Sequence, residues 1–194
     1  MNKRVKELQC IMPLVNILSV LEHGILSYER AAKLKHRSVA MHEVQDRRDK
    51  KQVPHGLKLH QYANLYFHAR NPMLYKRKDD AENICVLRIS NEVLQIEGVV
   101  ITDCNAASQY VRFYHPSQIS LLDLDAIFAM DWRHHSDPVA YWRHKSQKCA
   151  EILIPHLVEP KFLAGAYVVS QDAAERLKRG FDLPVTIDRG MFFR

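Results

Sequence analysis

The spacing of apolar and polar residues predicts a series of short helices and strands. Apolar runs and alternating patterns predict strands at residues 62–68, 84–89, 99–102, 151–154, 166–169 and 185–187. Helical periodicity with capping and stop residues predicts helices at residues 13–21, 38–50, 121–130, 138–148 and 171–179. Because the helices are segregated from the strands, the order indicates an α+β fold and not a doubly wound sheet. No repeat, low-complexity segment or clear linker divides residues 1–194, so a single domain is expected.

Two of the predicted helices have recognisable ends. Pro13 lies in the first turn of one, and Gly24 follows its last apolar residue, which are the positions that these residue types favour. Ser38 can cap the second helix, and Arg47 and Arg48 fall near its C-terminal end, where cations suit the helix dipole. Stabilisation of a helix end is therefore one sufficient explanation for Arg48.

Composition and cysteine usage restrict the class of protein. The chain has 194 residues, 47% hydrophobic and 26% charged, which is typical of a globular domain. No apolar run approaches the roughly 18 residues that span a bilayer, and the N-terminus lacks the apolar segment of a signal peptide, so a cytoplasmic protein without a membrane partner is expected. The four cysteines form no CxxC pair, and the eleven histidines have no recognised ligand spacing, so we expect neither disulfides nor a metal site.

The positive charge is concentrated in clusters, and the net charge is +6. Basic residues group at 47–51, 76–78, 133–135 and 143–145, close in sequence to the aromatic residues Tyr75, Trp132, Tyr141 and Trp142. A surface for single-stranded nucleic acid combines cations for phosphates with aromatic rings for bases. Solvated helix ends and loops would explain each cluster equally well, so composition leaves both interpretations open.

Common catalytic fingerprints are missing, but one stretch is informative. The chain has no GxGxxG, P-loop, GxSxG or HExxH motif. Residues 62–75, YANLYFHARNPMLY, join a strand directly to an Arg-Asn-Pro-Met turn; taken alone, they indicate a half-buried strand followed by an ordinary turn. Four further segments occur around it in a fixed order: QDRR at 45–48, Val53-Pro54, Leu59-His60, and CAEILIP at 149–155.

In combination, these segments resemble the DarT family of DNA ADP-ribosyltransferases, the toxins of bacterial toxin–antitoxin pairs. The resemblance extends from about Leu8 to the C-terminus. It implies an ADP-ribosyltransferase-like fold, in which a split β-sheet with flanking helices forms a cleft that holds NAD as the co-substrate.

The resemblance implies two catalytic residues, Glu151 and Arg48. Departure of nicotinamide leaves an oxocarbenium-like ribose, and a carboxylate that accepts a hydrogen bond from the ribose 2′-OH favours this charge. Glu151, on a late apolar strand, matches the family's glutamate. Arg48 matches an essential arginine, and its guanidinium can hold the pyrophosphate or the acceptor base. A guanidinium with a pKa above about 12 is a poor base, so we expect an electrostatic role for Arg48.

Further NAD contacts are implied near the N-terminus and on the first long strand. The matching positions are Cys10, Ile11, Met12, Ser19, Gly24, Ser27, Arg48 and Tyr66, with Tyr66 expected to stack on nicotinamide. Cys10 replaces the family's usual histidine, and a thiol cannot supply all the hydrogen bonds of an imidazole. This departure tilts the expected acceptor towards guanine over thymine.

The acceptor side is expected on the RNPM turn and between residues 110 and 148. The DNA-binding candidates are Arg70, Met73, Arg112, Tyr114, His115, Trp132, Arg133 and Trp142. Such side chains can stack on a splayed base and contact phosphates. At least one of the two tryptophans is expected to pack in the core instead.

The resemblance therefore implies NAD-dependent mono-ADP-ribosylation of a nucleobase in single-stranded DNA, with release of nicotinamide. As a toxin, the protein would have an antitoxin with ADP-ribosylglycohydrolase activity as its partner. Two alternatives stay open: a transferase that acts on RNA or protein, and a non-catalytic module that binds single-stranded nucleic acid.

Overall fold

The structure, a computed structural model, describes residues 3–193 apart from the side chain of His42. Its strands are β1 (Glu7–Pro13), β2 (Ile25–Leu26), β3 (Tyr62–Tyr66), β4 (Ile84–Ser90), β5 (Val100–Thr102), β6 (Phe113–Tyr114), β7 (Glu151–Pro155), β8 (Leu157–Val158), β9 (Leu163–Val168) and β10 (Val185–Ile187). Its α-helices are α1 (Ile17–His23), α2 (Tyr28–Ala31), α3 (His42–Asp49), α4 (Pro72–Tyr75), α5 (Leu124–Phe128), α6 (Pro138–Gln147) and α7 (Gln171–Lys178). Short 3-10 helices lie at Leu14–Asn16, Leu59–Gln61, Lys78–Asn83, Asn91–Gln95, Pro116–Leu121 and Pro160–Phe162.

Eight strands form one sheet in the order β10-β9-β4-β1-β3-β7-β5-β6, and β2 pairs with β8 separately. The β9–β10 pair is parallel, and the other pairs are antiparallel. Strands β1 and β4 are in register from Glu7↔Ser90 to Pro13↔Ile84, whereas β1 and β3 share only the pair Gln9↔Tyr66. The sheet therefore consists of two half-sheets that diverge on either side of one residue pair. This arrangement confirms the expected α+β fold with a split cleft.

The central strands are buried on both faces, which explains their runs of apolar residues. In β4 and β7, nearly every side chain is buried, from Ile84 to Leu87 and from Glu151 to Ile154. The expectation that residues 62–68 form a half-buried strand is wrong, because β3 lies between β1 and β7 and buries Tyr62 and Tyr66. Ala63 and Leu65 pack in one core cluster, and Tyr62 and Tyr66 pack in two others, so neither face of β3 is open to solvent and its sequence need not alternate.

The sequence missed β1, which is the strand beside the split. It predicted a helix from Pro13 onwards but no strand before it. Two polar residues interrupt the apolar pattern of β1, and tertiary contacts satisfy both. Glu7 accepts a 2.7 Å hydrogen bond from Arg88 Nε, and Gln9 Oε1 accepts a 2.7 Å bond from the Ala69 amide.

Two predicted helices are shorter in the structure. The helix expected at 38–50 begins at His42, because Ser38 accepts a hydrogen bond from the Ala40 amide in an exposed turn and caps no helix. The helix expected at 121–130 is only α5, since Leu122 is extended and Asp123 caps α5 by accepting a bond from the Ala126 amide at 3.0 Å.

The other predicted helices and strands agree with the structure to within a few residues at each end. Helix α1 ends at Gly24, where φ is +80° and a Cβ atom would collide with the Val158 carbonyl. Glycine is the residue that this backbone conformation favours. Ser170 caps α7 by accepting a bond from the Ala173 amide at 3.1 Å.

Candidate active site

The main cleft opens where the two half-sheets diverge. One wall comes from Cys10, Ile11 and Met12 of β1, and the floor includes Tyr66 of β3 and Glu151 of β7. In register, Tyr66 faces Gln9 on one side and Glu151 on the other. The row Gln9–Tyr66–Glu151 therefore crosses the line of the split. The cavity at this cleft has a volume of about 170 Å³.

Glu151 is the first residue of β7 and is 1% exposed. Its carboxylate oxygen Oε1 accepts a hydrogen bond from the Ala106 amide at 3.0 Å. Arg48 Nη1 lies 2.8 Å from Oε2 and 3.1 Å from Oε1. The Glu151 amide donates to Thr102 Oγ1 at 2.9 Å, so the backbone of this residue is held as well as its side chain. A carboxylate so deeply buried needs such partners.

Arg48, which is 5% exposed, lies in the last turn of α3, and His60 holds this helix in place. His60 Nε2 lies 3.1 Å from Gln45 Oε1, and the ring stacks on Tyr28 with centroids 4.3 Å apart. Burial lowers the pKa of His60. The Leu59-His60 motif therefore positions the helix that carries Arg48.

The loop between β5 and β6 carries the amide that binds Glu151, and Lys51 fastens this loop to the end of α3. Lys51 Nζ donates to the Ala106 carbonyl at 3.4 Å and also contacts the Ser108 carbonyl oxygen. The Asn105 amide donates to the Ser146 carbonyl at 3.1 Å. Arg48 and Lys51, close together in sequence, thus hold Glu151 directly and through its loop.

An extended segment at residues 36–40, here called the strap, forms the outer wall of the cleft. Asn16 fixes one end, because its side chain donates to the Arg37 carbonyl at 2.8 Å and accepts from the Arg37 amide at 3.0 Å. Arg77 fixes the other end by donating to the Val39 carbonyl at 2.6 Å. These long-range contacts keep the strap out of α3.

Cys10 and Tyr66 present neutral groups to the cleft. Burial raises the pKa of the Cys10 thiol to about 12 and raises that of the Tyr66 hydroxyl well above its usual value. The proximity of Glu151 adds to the shift in the pKa of Tyr66. The Cys10 Sγ atom lies 3.8 Å from the Ile11 carbonyl oxygen. Cys10 therefore supplies no thiolate nucleophile at neutral pH.

The residues expected to contact NAD do not all lie in the main cleft. Cys10, Ile11, Met12, Arg48 and Tyr66 all line the cleft. Ser19 and Gly24 line a smaller neighbouring cavity of about 80 Å³, which shares Met12 and Asn16 with the cleft. Ser27 is buried, and its hydroxyl caps α2 by accepting a bond from the Arg30 amide at 3.4 Å. The structure thus gives Ser27 a capping role.

The predicted DNA-binding residues do not converge on one surface. Arg70, Trp132 and Arg133 line a pocket of about 470 Å³, here called the Trp132 pocket, with Tyr75, Lys145 and Phe193 among its other walls. Arg112 and Trp142 line a separate pocket of about 720 Å³, here called the Trp142 pocket, with Tyr110 and Arg143.

The two tryptophans differ in environment. Trp132 is 6% exposed and makes edge contacts with Tyr75 and Phe193, at centroid distances of 6.1 and 5.6 Å. Trp142 is 62% exposed, with Lys145 Nζ 4.3 Å from its ring centroid. The expectation that one tryptophan packs inside the protein is met by Trp132.

The other three candidates for DNA binding have different surroundings. Met73 lines the main cleft, and Tyr114 packs against the main core. His115 caps the 3-10 helix at Pro116–Leu121, where its Nδ1 accepts a bond from the Ser117 amide at 3.2 Å. Local structure therefore accounts for Tyr114 and His115 without a ligand.

Within residues 3–193, no group of three or more His, Cys, Asp or Glu side chains is placed to hold a metal ion. Over this same part of the chain, none of the helices has the length and apolar character needed to span a membrane.

Comparison with known proteins relates this site to a family. A family model described as "ssDNA thymidine ADP-ribosyltransferase, DarT" matches residues 11–193. A DNA ADP-ribosyl transferase of Thermus sp. (strain 2.9) is 31% identical over 151 residues, which cover 72% of this chain and 69% of that protein. A "DNA ADP-ribosyl transferase-DNA ADP-ribosyl glycohydrolase fusion protein" of Thermosipho africanus (strain H17ap60334) is 29% identical over 206 residues, which cover 98% of this chain. The chain spans about half the length of that fusion protein, 50%.

Two solved structures share the fold over nearly the whole chain. Thermosipho africanus DarTG in complex with ADP-ribose has a TM-score of 0.83 at 27% identity, covering 97% of this chain and 51% of that one. Thermus sp. 2.9 DarT in complex with ADP-ribosylated ssDNA has a TM-score of 0.82 at 25% identity, covering 100% of this chain and 99% of that one. The family match over residues 11–193 thus includes most of both half-sheets, and with them Tyr66 and Glu151 at their junction. On this evidence, the chain belongs to the DarT family.

Proposed function

We propose that residues 1–194 act as one NAD-dependent mono-ADP-ribosyltransferase domain, which transfers ADP-ribose to a nucleobase in single-stranded DNA and releases nicotinamide. The observation that carries this proposal is the buried Arg48–Glu151 pair at the line where the half-sheets diverge. Membership of the DarT family and the solved Thermus complex with ADP-ribosylated ssDNA support the same activity.

The main cleft is the proposed site of NAD. Its volume of about 170 Å³ is below the roughly 300–1,000 Å³ of typical small-molecule sites, so part of the dinucleotide would lie outside it or displace the strap. Side-chain hydrogen bonds from Asn16 and Arg77 hold the strap, which makes it the wall that can move without disturbing either half-sheet.

Glu151 is the proposed catalytic carboxylate. When the bond between nicotinamide and the ribose breaks, nicotinamide leaves with the electron pair and the ribose gains oxocarbenium character. A carboxylate that accepts the 2′-OH hydrogen bond stabilises that charge. The Ala106 amide binds Oε1, so Oε2 is the oxygen that the ribose can engage once Arg48 moves aside.

Arg48 has a proposed electrostatic role. Released from Oε2, its guanidinium can donate paired hydrogen bonds to the pyrophosphate or to the acceptor base as that base loses its proton. The new bond forms between the ribose C1′ and the base, and Glu151 or water takes the proton. This division of roles keeps Arg48 charged throughout.

The Trp132 and Trp142 pockets are the proposed contacts for the strand on either side of the target base. Each places an aromatic ring beside arginine or lysine side chains, a combination suited to stacking and phosphate contact. Met73 lies on the wall of the NAD cleft itself and would border the reacting base.

We propose thymine as the acceptor base. The expectation of guanine depended on Cys10, and Cys10 lies on the β1 wall of the cleft, where it contacts the Ile11 backbone. The cysteine at this position therefore affects the binding of NAD more than the choice of acceptor base. The matching family is described as a thymidine transferase, which supports thymine.

We also propose that the protein is the toxin of a toxin–antitoxin pair, with an ADP-ribosylglycohydrolase as antitoxin. The Thermosipho relative is named as a fusion of a DNA ADP-ribosyl transferase with a DNA ADP-ribosyl glycohydrolase. The present chain aligns with about half of that protein. A glycohydrolase would therefore be the natural counterpart of this transferase.

The deciding experiment is intact-mass analysis of single-stranded oligonucleotides after incubation with NAD. Each oligonucleotide carries one base type in a varied context, and the proteins are the wild type, Glu151→Gln and the control Glu175→Gln, an exposed residue of α7. We expect one added ADP-ribose on thymine, unchanged with the control and slowed at least about 100-fold by Glu151→Gln.

Other outcomes point to specific alternatives. An adduct on guanine alone would overturn the choice of base but keep the reaction. NAD binding without any DNA adduct would move the acceptor to RNA or protein. Salt-sensitive DNA binding that ignores both NAD and Glu151→Gln would favour a non-catalytic module.

A further inference from the structure

Lys148 is a buried lysine that the proposed reaction does not use. It follows α6, lies three positions before Glu151, and is 1% exposed. Lysine is almost never so fully buried unless its ammonium group is paired. Its Nζ atom lies 2.7 Å from the Ala129 carbonyl oxygen, 2.8 Å from the Ile127 carbonyl oxygen and 3.1 Å from His68 Nδ1. All the partners of this ammonium group are uncharged.

Two of these partners lie at the C-terminal end of α5. The last carbonyls of a helix have no partner within the helix and carry a partial negative charge. Lys148 satisfies the carbonyls of Ile127 and Ala129 and therefore fixes the point at which the chain leaves α5. The next residues, Met130 to Arg133, are walls of the Trp132 pocket.

The third partner lies beyond the end of β3. His68 precedes Arg70, whose Nε donates to the Met130 carbonyl at 3.4 Å. Two cations, one before β7 and one after β3, thus hold the same segment of the Trp132 pocket. This geometry connects the acceptor-side wall with the strand that carries Glu151.

We infer that Lys148 is a positioning residue, which keeps the Trp132 pocket in register with the Glu151 carboxylate so that a strand held there presents its target base to the ribose. The inference rests on the proposed function, because it concerns the acceptor side of the transfer. Lys148 has no proposed contact with NAD or DNA and acts through the segment at residues 127–133.

The charge of the ammonium group is part of this role. Burial lowers the pKa of Lys148 to about 8, and burial together with the nearby Lys148 and Arg70 lowers that of His68 to about 4. At neutral pH, His68 is therefore uncharged and its Nδ1 can accept from the ammonium. The other titratable groups that act on Lys148 are Cys149 and Arg70, and α5 presents its carbonyl oxygens.

Loss of the Lys148 proton has opposite effects on the alignment of the pocket and on the stability of the protein. Lys148 binds its proton less tightly than an exposed lysine, whose pKa is 10.5, so between pH 8 and 10.5 its contribution to the free energy of unfolding rises with pH. Alignment by the ammonium group is lost over the same range. A decline in transfer there would not be a consequence of global unfolding linked to Lys148.

The test compares wild type, Lys148→Met and the control Lys178→Met, which removes an exposed lysine from α7. The readouts are kcat/KM for a single-stranded oligonucleotide and the dissociation constant of NAD by calorimetry. We expect Lys148→Met to lower kcat/KM for the oligonucleotide at least about tenfold, because misaligned reactants lose rate steeply, and to leave NAD binding within about twofold. An equal loss of both, or no loss, would overturn the inference.

A second variant, Lys148→Arg, keeps the charge above pH 8. The ratio of wild-type to Lys148→Arg activity should fall as the pH rises from 7 to 9, and the common effect of pH on the acceptor base cancels in this ratio. A flat ratio would show that the charge is irrelevant and would overturn the inference even if Lys148→Met failed to fold. If wild-type protein bound NAD but formed no adduct, the proposed function would fail first, and the inference with it.

Discussion

The pairing of Arg48 with Glu151 accounts for how two charges can lie in one buried site. Each neutralises the other, and the Ala106 amide adds a further donor to the carboxylate. Removal of one partner leaves the other as an unpaired buried charge, which destabilises a protein strongly. Substitutions that retain polarity at these two positions are therefore the informative ones.

Arginine is required at position 48 for its geometry as well as for its charge. We predict that Arg48→Lys lowers the rate of transfer at least about tenfold, because charge-assisted hydrogen bonds contribute about 1.5–3 kcal/mol each and an ammonium group cannot reproduce the planar guanidinium. The neighbouring substitution Arg47→Lys is the matched control, since Arg47 is exposed and its Nε donates to the Glu43 carbonyl of its own helix at 3.3 Å.

The measurement is the initial rate of adduct formation by mass spectrometry, with NAD and oligonucleotide both saturating. Equal rates for the two lysine variants would contradict a specific role for Arg48. Thermal unfolding of both variants shows whether a lower transfer rate results from a less stable fold.

At the level of helices and strands, the sequence predicted correctly those elements that a local pattern of apolar residues specifies. The apolar run of β7 and the periodicity of α7 were sufficient to place both. The start of α3 was misplaced because Asn16 and Arg77 bind the strap, and no local signal records such distant partners. Strand β1 was missed for the same reason, since Glu7 and Gln9 find their partners across the sheet.

The candidate site was predictable only in part. The resemblance placed Glu151 and Arg48, and the structure brings them within 2.8 Å of each other. Lys51 and Lys148 went unnoticed because they bind backbone carbonyls, and any residue type can supply a carbonyl. Their only signal in the sequence is proximity, since each lies three positions from Arg48 or Glu151.

The β5–β6 loop depends on Lys51 for its position beside Glu151. We predict that Lys51→Met slows transfer about tenfold, because the Ala106 amide would no longer be held at the carboxylate and a buried hydrogen bond contributes about 1–3 kcal/mol. Lys50→Met removes an exposed lysine next to it and should leave the rate within about twofold.

Two measurements check this prediction: the rate of adduct formation on the oligonucleotide, and hydrogen exchange of the amides in the β5–β6 loop. Faster exchange at residues 104–108 should accompany the slower rate. Normal exchange in Lys51→Met with a slow rate would mean that Lys51 acts in another way.

For the whole molecule, two aromatic pockets that share α6 as a wall each contain arginine or lysine side chains. Net charge +6 favours an acidic partner, and the Trp142 pocket combines an exposed indole ring with Arg112 and Arg143. Stacking and phosphate contact are separable contributions, because only the second depends on salt.

We predict that Trp142→Ala weakens oligonucleotide binding about 5- to 150-fold without changing its salt dependence, since stacking of a base contributes about 1–3 kcal/mol. Arg143→Ala should instead make the plot of log K against log salt concentration shallower by about 0.7. Fluorescence anisotropy at several salt concentrations measures both effects. Identical behaviour of the two variants would argue against a strand lying across this pocket.

The single residue pair between β1 and β3 makes the backbone connection between the half-sheets very narrow. Among the described strands, backbone pairing joins the halves only at Gln9 and Tyr66, and the Gln9 side chain adds a 2.7 Å bond to the Ala69 amide. The ladders inside each half-sheet do not depend on this junction. A change at position 9 would therefore act first on the aperture of the site and would leave the ladders of both halves intact.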